Sequence, residues 1–143
     1  MLRLGVAATW LGQLTAAHTN SPSPKTDTAV HIPPYLNPGD TIGILCPAGN
    51  ITREEIQPAM NKIMEWGFRV KIGDTVGKKD FTFGGTDDER LADLQQMFDD
   101  KQIKAIMPAR GGYGLVRIID RLNFEKFVQH PKWIIGFSDV TVL

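Results

Sequence analysis

Beyond residue 40 the chain alternates short apolar runs with amphipathic stretches of helical spacing. Pro38-Gly39-Asp40 is a turn signal, and the apolar run Thr41 to Cys46 that follows, stopped by Pro47-Ala48-Gly49, predicts a buried strand. Thr52-Arg53-Glu54-Glu55 matches a capping box, in which a hydroxyl and a carboxylate three residues on satisfy the free amides of a helix start. Ile56, Met60, Ile63 and Met64 then recur at helical spacing up to Trp66, and Gly67 predicts the end of the helix. Phe68 to Ile72 alternates as a strand does, and Gly73 to Lys79 reads as a surface loop. A second capping box, Thr86-Asp87-Asp88-Glu89, opens a helix with a buried stripe of Leu91, Leu94 and Phe98. A third strand is predicted over Ile103 to Met107, ended by Pro108. Leu115, Ile118, Ile119 and Leu122 then form a short helical stripe, and Phe124 to Gln129 a further helical turn broken by Pro131. Trp133 to Phe137 reads as a fourth strand ending at Ser138.

Strands that alternate with helices, several of them apolar throughout, imply an α/β fold: a Rossmann-like or flavodoxin-like parallel sheet with helices on both faces. Such sheets place ligands beyond the carboxyl ends of their strands. The segments to examine are therefore Pro47-Ala48-Gly49, Arg110 to Gly114, and Ser138-Asp139.

Composition narrows the picture. A length of 143 residues suits one globular domain, and 16 basic against 16 acidic residues leave no net charge to attract nucleic acid. The single cysteine, Cys46, excludes an internal disulfide and reads as a small strand hydrophobe; Cys/His clusters at zinc-ligand spacing are absent. Residues 1–17 resemble a signal-like leader: Arg3 precedes the mostly apolar Leu4 to Leu14, too short to span a bilayer, and Thr15-Ala16-Ala17 offers small residues for cleavage. Export to the periplasm follows if that leader is real, and a cytoplasmic location otherwise. Residues 18–31 read as a polar, proline-bearing linker, and residues 32–143 as the folded domain.

Ser138 stands where an apolar strand stops and a helix is expected to start, a turn that can push a hydroxyl out of the sheet edge. Gly136-Phe137-Ser138-Asp139-Val140 has a glycine two residues before the serine but valine two after, so it departs from the usual nucleophile elbow; Ser138 as an ordinary N-cap stays open. Arg110-Gly111-Gly112-Tyr113-Gly114 could present backbone amides to an anion, yet has neither dinucleotide nor phosphate-loop spacing and is equally readable as a flexible turn.

Taken together, Pro47-Ala48-Gly49, Ala109 to Gly114 and Ile135 to Leu143 resemble, in order and spacing, the N-terminal half of the LD-carboxypeptidases, a family that also includes the immunity peptidases degrading microcin C. The resemblance covers roughly Ile32 to Leu143. It implies a serine hydrolase that releases the C-terminal D-alanine of murein tetrapeptides by cutting an L,D-peptide bond. Ser138 maps to the nucleophile, the backbone amides of Asp139 and Gly112 to the oxyanion hole, and Arg110, Gly111 and Tyr113 to substrate binding. Asp139 would act through its amide, its side chain helping to start the helix. The histidine base and its glutamate partner are expected from a C-terminal domain absent from this chain, so that the 143 residues form a fragment inactive alone. None of His18, His31 and His130 lies in a segment resembling the family's base. Members are often dimeric, and serine acyl transfer requires neither a metal nor an organic cofactor. On the residues alone, a Rossmann-like module that binds a small ligand or a peptide carboxylate without turning it over fits the same features, as does a structural domain whose glycines are turns.

Overall fold

The computed structural model describes residues 31–143. The expected leader and all but the last residue of the linker lie outside the described residues. Four parallel strands, β1 (Thr41–Leu45), β2 (Arg69–Ile72), β3 (Ile103–Pro108) and β4 (Trp133–Ile134), form one sheet in the order β2-β1-β3-β4. Among the described residues three α-helices accompany them: α1 (Arg53–Glu65), α2 (Asp87–Asp99) and the short α3 (Glu125–Gln129). The parallel, doubly covered sheet is the architecture its hydrophobic pattern predicts.

Successive side chains of β1 point to opposite faces, and each face has its own core. Ile42, Ile44 and Cys46 pack with Ile56 and Ile63 of α1, while Leu45 packs with Leu94, Met97 and Phe98 of α2 and with Leu115, Ile118 and Leu122. Both sides of β1 are thus buried, which is why its sequence is a continuous apolar run rather than an alternation. Both capping boxes form: Thr52 Oγ1 accepts from the Glu55 amide as Glu55 accepts from the Thr52 amide, and Thr86 and Glu89 repeat the exchange. Gly67, at φ +86°, ends the turn after α1, its amide donating to the Met64 carbonyl.

Four expectations are corrected. Met64 is exposed, because Ile56 and Ile63 with the half-buried Met60 already fill the contact with the sheet. In α2 the buried face begins at Arg90, and Leu91 is only partly covered. Leu115 to Leu122 forms two 3-10 turns, Leu115–Arg117 and Ile119–Arg121, with Ile118 (φ −121°, ψ −16°) between them; burial of residues 115, 118 and 122 satisfies either geometry. β4 pairs only over Trp133–Ile134, with one further hydrogen bond from the Ile135 amide to the Ile106 carbonyl, and Phe137 is exposed. At the sheet's edge no second neighbour among the described residues holds β4 extended.

Candidate active site at the carboxyl ends of the strands

The strand order places a topological switch point between β1 and β3. The chain leaves β1 toward β2 on one side and returns through α2 to β3 on the other, so the loops after β1 and β3 diverge around a crevice. Three predicted segments meet there. The Gly49 amide donates to the Gly111 carbonyl (3.2 Å), and Gly111 lies against the serine turn: a β-carbon on it would stand 3.4 Å from Ser138 Cβ and 3.7 Å from Ser138 Oγ.

Ser138 is exposed and has φ +61°, the left-handed region that a non-glycine residue occupies only when its surroundings impose it. The imposing contacts are visible. Thr141 Oγ1 donates to the Ser138 carbonyl (2.7 Å), and Val140 packs so closely over Gly136 that a β-carbon there would come within 2.7 Å of Val140 Cγ1. The sequence departs from the usual elbow because its valine fills the space that its single glycine leaves. The segment after the serine is a 3-10 turn, Ser138–Val142, and neither Ser138 nor the residue before it caps that turn with a side chain. The N-cap reading of Ser138 is therefore replaced by a strained turn that presents the hydroxyl outward.

Neither the Gly112 nor the Asp139 amide donates a hydrogen bond within the described residues. Gly112, at φ +111°, adopts a conformation that side chains disfavour. Beside it lies a cleft of about 340 Å³ lined by Arg110, Gly111, Gly112 and Tyr113, the residues singled out from sequence, and by Lys79 and Phe81, which were not. Arg110 is exposed and donates to the Asn50 carbonyl (3.2 Å). Ser138 stands behind Gly111 rather than lining this cleft.

Asp139 does more than start a turn: its Oδ2 accepts from the Leu115 amide at 2.9 Å, joining the serine turn to the end of the glycine loop. That corrects the expectation for its side chain. Arg90, fully buried, donates to the carbonyls of Pro47 (2.6 Å) and Gly114 (3.0 Å), pairs with Asp87 and lies 4.7 Å from the centre of the Phe83 ring. Arg117 shares Asp87 through two nitrogens (2.8 and 3.0 Å), and its hydrogen bonds are the main cause holding the Asp87 carboxyl below its ordinary range. A signal for Arg90 existed in the sequence: it precedes Leu94 by one helical turn and so lies on the buried face, where a charge needs partners.

Cys46 is buried, its amide donating to Thr75 Oγ1 (2.8 Å), and burial pushes its thiol up to about 11. His130 and His31 are both exposed. His130 lies with Asp40, Ile103 and Lys132, the residues that enter β1, β3 and β4, at the end of the sheet opposite Ser138. His18 lies outside the described residues.

Fold and crevice define a doubly wound α/β domain with its site at the switch point. The chain belongs to the LD-carboxypeptidase family: the family model described as the LD-carboxypeptidase N-terminal domain, peptidase family S66, matches residues 42–143. It is 40% identical over 111 residues to the probable murein peptide carboxypeptidase of Bacillus subtilis strain 168, covering 78% of this chain and 35% of that protein. It is 31% identical over 108 residues to the microcin C7 self-immunity protein MccF of Escherichia coli, covering 73% of this chain and 31% of that protein. Among solved structures, a MccF mutant in complex with adenosine monophosphate superposes with a TM-score of 0.73 at 27% identity, covering 78% of this chain and 34% of that one. The muramoyltetrapeptide carboxypeptidase from Oxalobacter formigenes gives 0.64 at 28% identity, covering 71% and 34%. The chain thus spans about a third of the length of these relatives.

Proposed function

We propose that this chain is the nucleophile-bearing part of a serine LD-carboxypeptidase that releases C-terminal D-alanine from murein tetrapeptides. The observation that carries the reading is the strained, outward Ser138 beside two unengaged amides at the switch point of the sheet. Relatives named as murein peptide and murein tetrapeptide carboxypeptidases support the substrate class, and a solved MccF described as an active-site mutant carries a serine-to-alanine change.

In this reading Ser138 Oγ attacks the carbonyl carbon of the scissile L,D-bond while its proton passes to a histidine base. The developing oxyanion is received by the Gly112 and Asp139 amides. Preorganised donors of this kind are each worth about 3 kcal/mol, because they are aimed at charge that exists only in the transition state. Collapse of the tetrahedral species breaks the C–N bond, and the leaving amine of D-alanine takes the proton back from the base. Water then attacks the Ser138 ester by the same route and restores the hydroxyl. Arg110 and Tyr113 border the cleft from which the peptide approaches. The base and its glutamate come from sequence beyond these residues, as in the family that the chain resembles.

The test is D-alanine release from a murein tetrapeptide by the full-length gene product. Ser138→Ala should lower turnover by roughly 10⁴-fold or more while the protein stays folded. A folded Ser138→Ala variant with full activity would remove the serine from the mechanism. Tetrapeptide binding without turnover by the unaltered protein would instead establish the non-catalytic binding module.

A further inference from the structure

The two loops that form the crevice are held by one buried guanidinium outside it. Arg90 of α2 is 0% exposed, and its Nη1 donates both to the Pro47 carbonyl, in the loop after β1, and to the Gly114 carbonyl, at the end of the loop after β3. A buried arginine must be paired and hydrogen-bonded to offset its desolvation. Here Asp87 supplies the charge, itself chelated by Arg117, and both guanidinium groups lie over the Phe83 ring, at 4.7 and 5.5 Å from its centre.

The position of this group matters more than its stability. Gly114 has φ +151°, and a β-carbon there would approach Arg90 Nη1 to 2.8 Å, so the glycine lets the backbone close onto the guanidinium. The next amide, that of Leu115, donates to the Asp139 carboxylate, and Asp139 adjoins Ser138. At the other end of the same loop the Gly111 carbonyl accepts from Gly49. Gly112 and its free amide are therefore bracketed, by Gly49 on one side and by Arg90 on the other. Two hydrogen bonds in series connect Arg90 to the serine turn.

We propose that Arg90 is a positioning residue for the reaction: through the Gly114 carbonyl and the Leu115–Asp139 hydrogen bond it sets the Gly112 amide and Ser138 in register with each other. The Asp139 carboxylate is the second member of this relay. The inference rests on the proposed serine peptidase reading for its kinetic consequence, and on geometry alone for its structural one.

The test uses Arg90→Lys, Asp139→Ala and Asp139→Asn in the full-length gene product with murein tetrapeptide. Lysine keeps the charge but cannot serve both carbonyls and Asp87 in one plane. A misplacement on the order of 1 Å can cost about 100-fold, so Arg90→Lys should lower kcat by that order while KM stays within about threefold. Asp139→Ala should lower kcat in the same way. Asp139→Asn should recover most of the loss, since an amide oxygen also accepts the Leu115 N–H. In the 143-residue chain, both Arg90→Lys and Asp139→Ala should shift the Gly112 and Ser138 amide resonances and leave those of α1 in place.

Folded variants with unaltered kcat and only a lowered melting temperature would reduce Arg90 to a structural residue and overturn the proposal. If Arg90→Lys does not fold, the half-exposed Asp139 decides through its alanine and asparagine forms. If the unaltered protein releases no D-alanine, the peptidase reading fails. The amide shifts then decide the positioning claim: unmoved Gly112 and Ser138 resonances overturn it.

Discussion

Ser138 holds a backbone conformation whose cost is on the order of 1–3 kcal/mol for a non-glycine residue. Two compensating contacts are local, Val140 over Gly136 and the Thr141 hydroxyl on the Ser138 carbonyl, and a third, the Asp139 carboxylate on the Leu115 amide, joins residues 24 positions apart. Gly112 faces the opposite demand, since its φ of +111° suits glycine alone. Gly112→Val should therefore cost about 1–2 kcal/mol of stability through backbone strain. In the full-length protein it should lower D-alanine release by roughly 100-fold or more, through displacement of one aimed donor. Comparing kcat with the melting temperature separates the two effects. Normal turnover in Gly112→Val would remove its amide from the proposed oxyanion hole.

Among the elements, α2 links the fold to the site. Its capping box fixes where the helix begins, its inner face supplies Leu94, Met97 and Phe98 to one core, and its first turns carry Asp87 and Arg90 toward the crevice. Thr86 is exposed and packs little, so Thr86→Ala should lose the cap and nothing else, at about 1 kcal/mol. Urea denaturation should show this as a lower midpoint with an unchanged slope. An unchanged midpoint would mean that the start of α2 is held by tertiary contacts alone. The capping boxes were legible in the sequence because each needs only four consecutive residues. The 3-10 turns after Gly114 were not, since the burial spacing of Leu115, Ile118 and Leu122 fits an α-helix equally well.

At the scale of the molecule, the sheet brings the nucleophile candidate and the free amides to one edge and leaves the described histidines elsewhere. His130 is at the opposite end of the strands, and His31 is exposed ahead of β1. A serine hydroxyl without a base forfeits most of its rate enhancement, and the surviving oxyanion contribution of roughly 10³–10⁴-fold over water presupposes bound substrate. The purified 143-residue chain should accordingly show no appreciable D-alanine release from murein tetrapeptide, against measurable release by the full-length product. Serine-dependent turnover by the short chain at a comparable rate would require a base within these residues, with His130 and His31 the first to replace.

The parallel α/β architecture, both capping boxes, the three strand-end segments and the family itself could be read from the residues, because hydrophobic period, caps and short motifs are local properties of the chain. The extent of β4, the positive φ of Ser138, the contact of the Asp139 carboxylate with Leu115 and the partners of Arg90 could not. The last two join groups far apart in sequence that meet only in the folded sheet: Arg90 reaches Pro47 across 43 positions and Gly114 across 24, and β4 extends only as far as β3 offers it a partner. A buried charge is readable as an anomaly on a helix face, but the two carbonyls that Arg90 reaches are backbone atoms, which every residue carries and only the tertiary fold selects.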